Sequence, residues 1–124
     1  MAHYNLGNLL KDFKKDTDGA EVVYRRAIEI DPNRASVHCN FGVLLQAHKK
    51  DIDGAEAAYR RVIEIDPNDA ITHWNLSFLL EKRGDLRGAI EATKSYIAAG
   101  NPWQNGKQRV KKLKRKMNAC LFGS

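Results

Sequence analysis

Three asparagines, Asn5, Asn40 and Asn75, return at a spacing of 35 residues, each inside a stretch of one design: HYNLGNLL, HCNFGVLL and HWNLSFLL. A side-chain amide carries both a donor group and an acceptor, so it can pair with the N–H and the C=O of one peptide unit. Helices pack about 8–10 Å apart and an extended strand advances about 3.3 Å per residue. Successive asparagines on successive helices would therefore meet roughly every third residue of a bound peptide. Tyr4, Cys39 and Trp74 stand one residue before each asparagine, and Asn8, Val43 and Phe78 three after. Aromatic side chains in such a row are the anchors that dominate binding energies. The chemistry on offer is recognition of a backbone, with pockets for its side chains; the alternative is that the asparagines bond locally or to solvent and that Trp74 packs against the neighbouring repeat.

Chemistry that makes or breaks bonds is not indicated. His3, His38 and His73 share the 35-residue spacing, but rungs about 10 Å apart cannot share a zinc ion whose ligands lie about 2 Å from it. These histidines are expected to pack, and no metal is expected. There is no phosphate-cradling glycine loop, no cluster with metal-ligand spacing and no nucleophile beside a base in a recognisable context. Neither catalysis nor a cofactor is expected.

The net charge of +6 belongs to one end of the chain. Residues 1–99 hold 14 Lys and Arg against 15 acids, whereas residues 100–124 hold Lys107, Arg109, Lys111, Lys112, Lys114, Arg115 and Lys116 and no acid. Such a run is either the solvated face of a terminal helix or a contact for nucleic acid, nuclear import or an anionic surface.

A second recurrence says which elements must carry these residues. DGAEVVYRRAIEIDPN (18–33) returns as DGAEAAYRRVIEIDPN (53–68), and a period in the range of 20 to 50 residues marks a repeat array. Leu6, Leu9, Leu10 and Phe13 fall at the i, i+3, i+4, i+7 spacing of one helix face, as do Ala20, Val23, Tyr24, Ala27 and Ile28 on a second helix. Asp16, Asp51 and Asp85 stand where a carboxylate caps the start of each second helix. Asp31-Pro32-Asn33 and Asp66-Pro67-Asn68 end it, because proline has no N–H and disfavours α geometry in the residue before it. A third unit runs through Leu76, Leu79 and Leu80, then Ala89, Ile90, Thr93 and Ile97, to Gly100-Asn101-Pro102. No segment alternates with period two, so an all-α chain is expected. Val110, Leu113, Met117 and Cys120 or Leu121 stripe a last helix that is basic elsewhere, the property a terminal cap of a repeat array needs.

With 43% hydrophobic residues the chain can build a packed interior. It has no apolar run of the ~20 residues a membrane span needs and no secretory signal pattern at its start. Cys39 and Cys120 are too few for a disulfide framework and suit a reducing compartment. An intracellular setting is expected, cytoplasmic first and nuclear as the alternative.

The pattern of Leu6-Gly7, Ala20, Tyr24, Ala27 and Pro32, repeated as Phe41-Gly42, Ala55, Tyr59, Val62 and Pro67, resembles the tetratricopeptide repeat. A weaker version is carried by Leu76-Ser77, Gly84, Ala89 and Pro102. The resemblance implies three repeats over residues 1–102 (about 1–33, 34–68 and 69–102) and a basic amphipathic capping helix and tail over 103–124. It implies seven helices in a right-handed α-solenoid, first helices lining a concave groove, and a non-catalytic scaffold that binds proteins or extended peptides. Units one and two have one extra residue between their helices, with Lys-Lys where the family has a turn glycine, so an altered turn is expected there. The asparagine ladder resembles the repeat arm of O-linked N-acetylglucosamine transferase, where such a ladder holds substrate backbone. One subclass of the family grips chaperone C-terminal carboxylates through two asparagines and three cations. Asn8 and Asn40 match its asparagines, but Tyr4, Ile71 and Asn75 stand at its cationic positions, so that ligand is not expected. Two alternatives to the peptide-binding scaffold remain: a module that contacts nucleic acid or an acidic surface through residues 107–116, and a repeat fragment that self-associates end to end, since the chain starts inside a first helix.

Overall fold

The computed structural model describes residues 17–100 and 105–122. They form six α-helices, with no strand among the described residues: α1 Thr17–Ile30, α2 Ala35–Ala47, α3 Ile52–Ile65, α4 Ala70–Arg83, α5 Leu86–Ala98 and α6 Asn105–Phe122. The remaining expected helix, through Leu6 and Phe13, lies outside the described residues. The chain divides after Asp66 into two compact units.

In the first unit α2 packs against both α1 and α3. The periodic residues do the burying: Ala20, Tyr24 and Ala27 from α1, Val37, Phe41, Leu44 and Leu45 from α2, and Ala55, Ala58, Tyr59 and Val62 from α3. Val23 and Ile28 are half-buried at the edges of their stripe. Asp51 caps α3, its Oδ1 accepting from the Gly54 N–H at 2.9 Å. The Asp-Pro-Asn turn between α1 and α2 is held in two places. The Asp31 carboxylate accepts from the Asn33 N–H at 3.2 Å, and the nearly buried His38 places Nε2 2.8 Å from the Pro32 carbonyl. A carbonyl can only accept, so that ring nitrogen carries the proton.

The seam between α2 and α3 is closed by an absence. A Cβ on Gly42 would stand 2.7 Å from Cε1 of Tyr59, whose ring is buried and whose hydroxyl donates to Gln46 Oε1 at 2.9 Å. Burial first, and the neighbouring Cys39 thiol second, push that phenol well above its usual pKa. It is a neutral donor at every physiological pH.

In the second unit α5 packs against both α4 and α6. Leu76, Leu79, Leu80, Leu86, Ala89, Ile90, Ala92, Tyr96 and Leu113 are buried. Asp85 caps α5 through the Gly88 N–H at 2.9 Å, Asp69 caps α4 through Thr72 N–H at 3.2 Å, and His73 repeats the loop contact with the Pro67 carbonyl at 2.8 Å. At the position matching Gly42 this unit has Ser77, and at the position matching Tyr59 it has Thr93, fully buried, with its hydroxyl turned back onto Ala89 O at 2.8 Å. A large residue faces none in one pair, and two small residues stand in for them in the other. Gly106 repeats the device on α6, where a Cβ would meet Ile97 Cγ1 at 2.8 Å.

The two inter-helix turns differ as the sequence implies. α4 ends on Gly84 at φ 88° with the Asp85 N–H on Leu80 O at 2.9 Å, a left-handed cap that favours glycine. The longer turn after α2 puts Lys50 in that conformation at φ 56°, and the Asp51 N–H reaches Leu45 O at 2.9 Å.

Two stability changes are expected. Lys50→Gly relieves a left-handed residue that costs about 1–2 kcal/mol, less the extra chain entropy of glycine, and should raise the urea midpoint by about 0.5 kcal/mol of stability. Gly42→Ser should cost about 1–3 kcal/mol by overpacking. In a double-mutant cycle with Tyr59→Thr, the pairing borrowed from the second unit, the two changes should be less than additive by about 1 kcal/mol. Additive losses would mean that Gly42 is not there for the ring.

Candidate functional site

Of the ladder and its flanking residues, Tyr4, Asn5 and Asn8 lie outside the described residues. Asn40, on the middle of α2, is half-exposed, and its Nδ2 donates to Ser36 O of the preceding turn at 2.9 Å. Cys39 and Val43 beside it are half-buried. Asn75 holds the matching position on α4, also half-exposed. Both residues are half-buried, like Cys39 and Val43, and the Asn40 amide is engaged by its own helix.

The second unit brings together residues that the sequence offers as separate candidates. Trp74 packs edge-to-face on Phe78, ring centroids 5.1 Å apart, and against Tyr96 at 4.6 Å. Phe78 remains 42% exposed. Arg109 comes across from α6 and lays its guanidinium over the Phe78 ring at 3.6 Å and beside Trp74 at 5.6 Å. Its Nε donates to Ser77 Oγ at 3.0 Å, while Ser77 donates to Trp74 O at 2.7 Å. Its Nη2 lies 3.0 Å from Glu81 Oε1, an ion pair without the alignment of a hydrogen bond, since the same nitrogen is buried and has no hydrogen-bond partner. Lys116 completes the arrangement by donating to Glu81 Oε2 at 2.9 Å.

Arg109 thus leaves the solvated basic face: its side chain is 6% exposed. The buried line of α6 is Gly106, Arg109 and Leu113, with Val110 and Met117 half-buried and Cys120 exposed, so the inward face is rotated from the expected apolar stripe toward an arginine. Sequence reading misses this because arginine defaults to the surface. The available signal was spacing: Arg109 lies three residues from Gly106 and four from Leu113, and Glu81 lies on the same face of α4 as Trp74, Ser77 and Phe78. Lys107, Lys111, Lys112, Lys114 and Arg115 are exposed, and Lys116 is exposed apart from its bond to Glu81.

Trp74, Phe78, Asn105, Gln108, Arg109, Lys112 and Arg115 line an open depression of ≈ 450 Å³. The first unit has another, of ≈ 500 Å³, with Ile28, Phe41, Leu45 and Ala58 as its apolar floor and Arg25, Glu29 and Arg61 at its rim. Arg25 stands 5.0 Å from the Phe41 ring. Among the described residues no group of three or more His, Cys, Asp and Glu could hold a metal ion, and no helix is long and apolar enough to cross a membrane.

The hydrogen bond from Lys116, with that cation and Arg109 alongside, holds the Glu81 carboxyl below its usual 4.5 against the opposing effect of burial. A carboxyl lowered in the folded state contributes stability above its unfolded pKa and loses it as pH falls through the folded value. Glu81→Gln should cost about 2 kcal/mol near neutral pH, since Arg109 keeps its burial and loses its counter-charge. Below pH 4.5 the difference between variant and parent should shrink, as read by urea unfolding along a pH series. No cost at neutral pH would mean that Glu81 acts by shape alone, and a cost that does not change with pH would mean that its charge is not what stabilises Arg109.

The fold has close counterparts among solved structures. The first TPR of Spaghetti (RPAP3), bound to the HSP90 peptide SRMEEVD, superposes with a TM-score of 0.83 at 12% identity, covering 94% of this chain and 91% of that one. MamA superposes with a TM-score of 0.78 at 19% identity over 87% of this chain, which spans 63% of the MamA chain. At these identities the likeness is one of fold. No curated protein matches the sequence. The model of the tetratricopeptide repeat matches residues 2–34 and 35–69, more than half of the chain, and the chain belongs to the tetratricopeptide repeat family.

Proposed function

We propose that this protein is a non-catalytic interaction scaffold that binds an extended peptide or partner protein through the asparagines Asn5, Asn40 and Asn75. The observation that carries the reading is the return of Asn40 and Asn75 at one repeat position of α2 and α4, both half-buried and neither sealed in the core, each flanked by partly accessible side chains: Cys39 and Val43, Trp74 and Phe78. The resemblance to the repeat arm of O-linked N-acetylglucosamine transferase points the same way, as does the peptide on the RPAP3 repeat. The residues that would grip a chaperone tail by its carboxylates are absent here, with Tyr4, Ile71 and Asn75 in their places, so the ligand is of another kind. The family's repeats are interaction modules, which agrees with a sequence that offers no catalytic constellation.

Each rung contributes about 0.5–1.5 kcal/mol and micromolar binding needs about 8 kcal/mol, so side-chain pockets must supply the larger share. The bond from Asn40 to Ser36 O is internal to its helix, and alanine is the better helix former by ~0.5 kcal/mol or somewhat more. Replacing Asn5, Asn40 and Asn75 together by alanine should therefore leave the melting temperature unchanged or slightly higher. Affinity for a peptide selected from a display library should fall by a few kcal/mol. Early melting with intact affinity would make the asparagines architectural.

A further inference from the structure

The aromatic row and the basic tail, separate in the sequence, share one depression in the second unit, and that convergence says what it would accept. Its apolar surface comes from Trp74 and Phe78 and its rim from Gln108, Lys112 and Arg115, which follow one stripe of α6. Arg109 is already neutralised by Glu81. Lys112 and Arg115 are exposed and have no carboxylate partner among the described residues. Residues 100–124 contain no acid at all, so nothing nearby on α6 competes for them.

We propose that this depression docks an acidic segment of a partner protein. An apolar side chain of the segment lies against Trp74 and Phe78, and carboxylates on either side reach Lys112 and Arg115. The proposal rests on the scaffold reading and names the partner's chemistry. An acidic peptide fits better than nucleic acid because the rings are not free to stack. The guanidinium of Arg109 covers a face of Phe78 at 3.6 Å, and Trp74 is packed on Tyr96 at 4.6 Å and on Phe78 at 5.1 Å. What remains is apolar surface to cover and cations to neutralise, without the aromatic platform on which single-stranded bases stack.

The test uses the full chain carrying Trp103→Phe, which leaves Trp74 as the sole tryptophan of the two in the sequence. Its emission is followed during titration with the peptide EEELLEEE blocked at both ends, with QQQLLQQQ, and with an oligothymidylate of equal length. The acidic peptide should shift the emission and bind about tenfold or more tighter than the neutral one. Lys112→Glu combined with Arg115→Glu should weaken it about tenfold or more, by turning two attractive rim contacts repulsive. Equal binding of the neutral peptide, no effect of the charge reversals, or no response of Trp74 to any probe would overturn the proposal. Tighter binding of the oligothymidylate would overturn it in favour of nucleic acid. The Asn40→Ala, Asn75→Ala variant separates the two readings. If a selected peptide loses affinity there and keeps it with Lys112 and Arg115 reversed, the scaffold stands and the acidic site falls. If neither set of changes affects it, both fall.

Discussion

A phenol ring lying where Gly42 has no side chain sets the distance between α2 and α3. Helices approach closely when the side chains between them interdigitate without voids or overlaps, and here the Tyr59 ring occupies the space a side chain at position 42 would need. The second unit has Ser77 and Thr93 at the matching positions, both fully buried. The exchange has a second effect, because a serine brings a hydroxyl that glycine cannot. That hydroxyl accepts from Arg109 and gives α6 a polar point of attachment on α4.

A guanidinium taken out of water is costly unless charge and hydrogen bonds follow it. Arg109 obtains both on α4, with Ser77 at 3.0 Å, Glu81 at 3.0 Å and a ring face at 3.6 Å. Arginine suits the place better than lysine, since a planar, weakly hydrated cation can stack and donate in one geometry. The terminal helix is therefore held by charge as well as by Leu113. The basic residues divide into two that answer Glu81 and five that face solvent, so a count of positive charges overstates what is open to a partner.

Helix positions and caps were legible in the sequence because local rules decide them. Asp51 and Asp85 cap α3 and α5, Tyr24, Tyr59, Leu76 and Leu79 are buried, and the extra residue before Asp51 distorts its turn. The 35-residue period exposes these rules by showing each twice or more. The site was legible in its parts. Trp74 and Phe78 read as an exposed pair or, for Trp74, as a packing residue, and Trp74 is half-buried against Tyr96 while Phe78 is exposed. What could not be read was their meeting with α6, because contacts between segments some 30 residues apart depend on how helices stack. A buried arginine runs against the default of its residue type, and only its partners on α4 explain it.

The imidazole contacts have a consequence for how the chain meets proteases. Cleavage requires a segment to be drawn out into an extended strand within the enzyme's cleft, which a surface loop usually allows. The turns at Pro32 and Pro67 are surface loops by position, yet each has a carbonyl tied to a nearly buried histidine six residues ahead. To be drawn out, such a loop must first break that hydrogen bond, worth about 1 kcal/mol. The turns at Pro32 and Pro67 are in this sense less open to cutting than surface loops without such a tie.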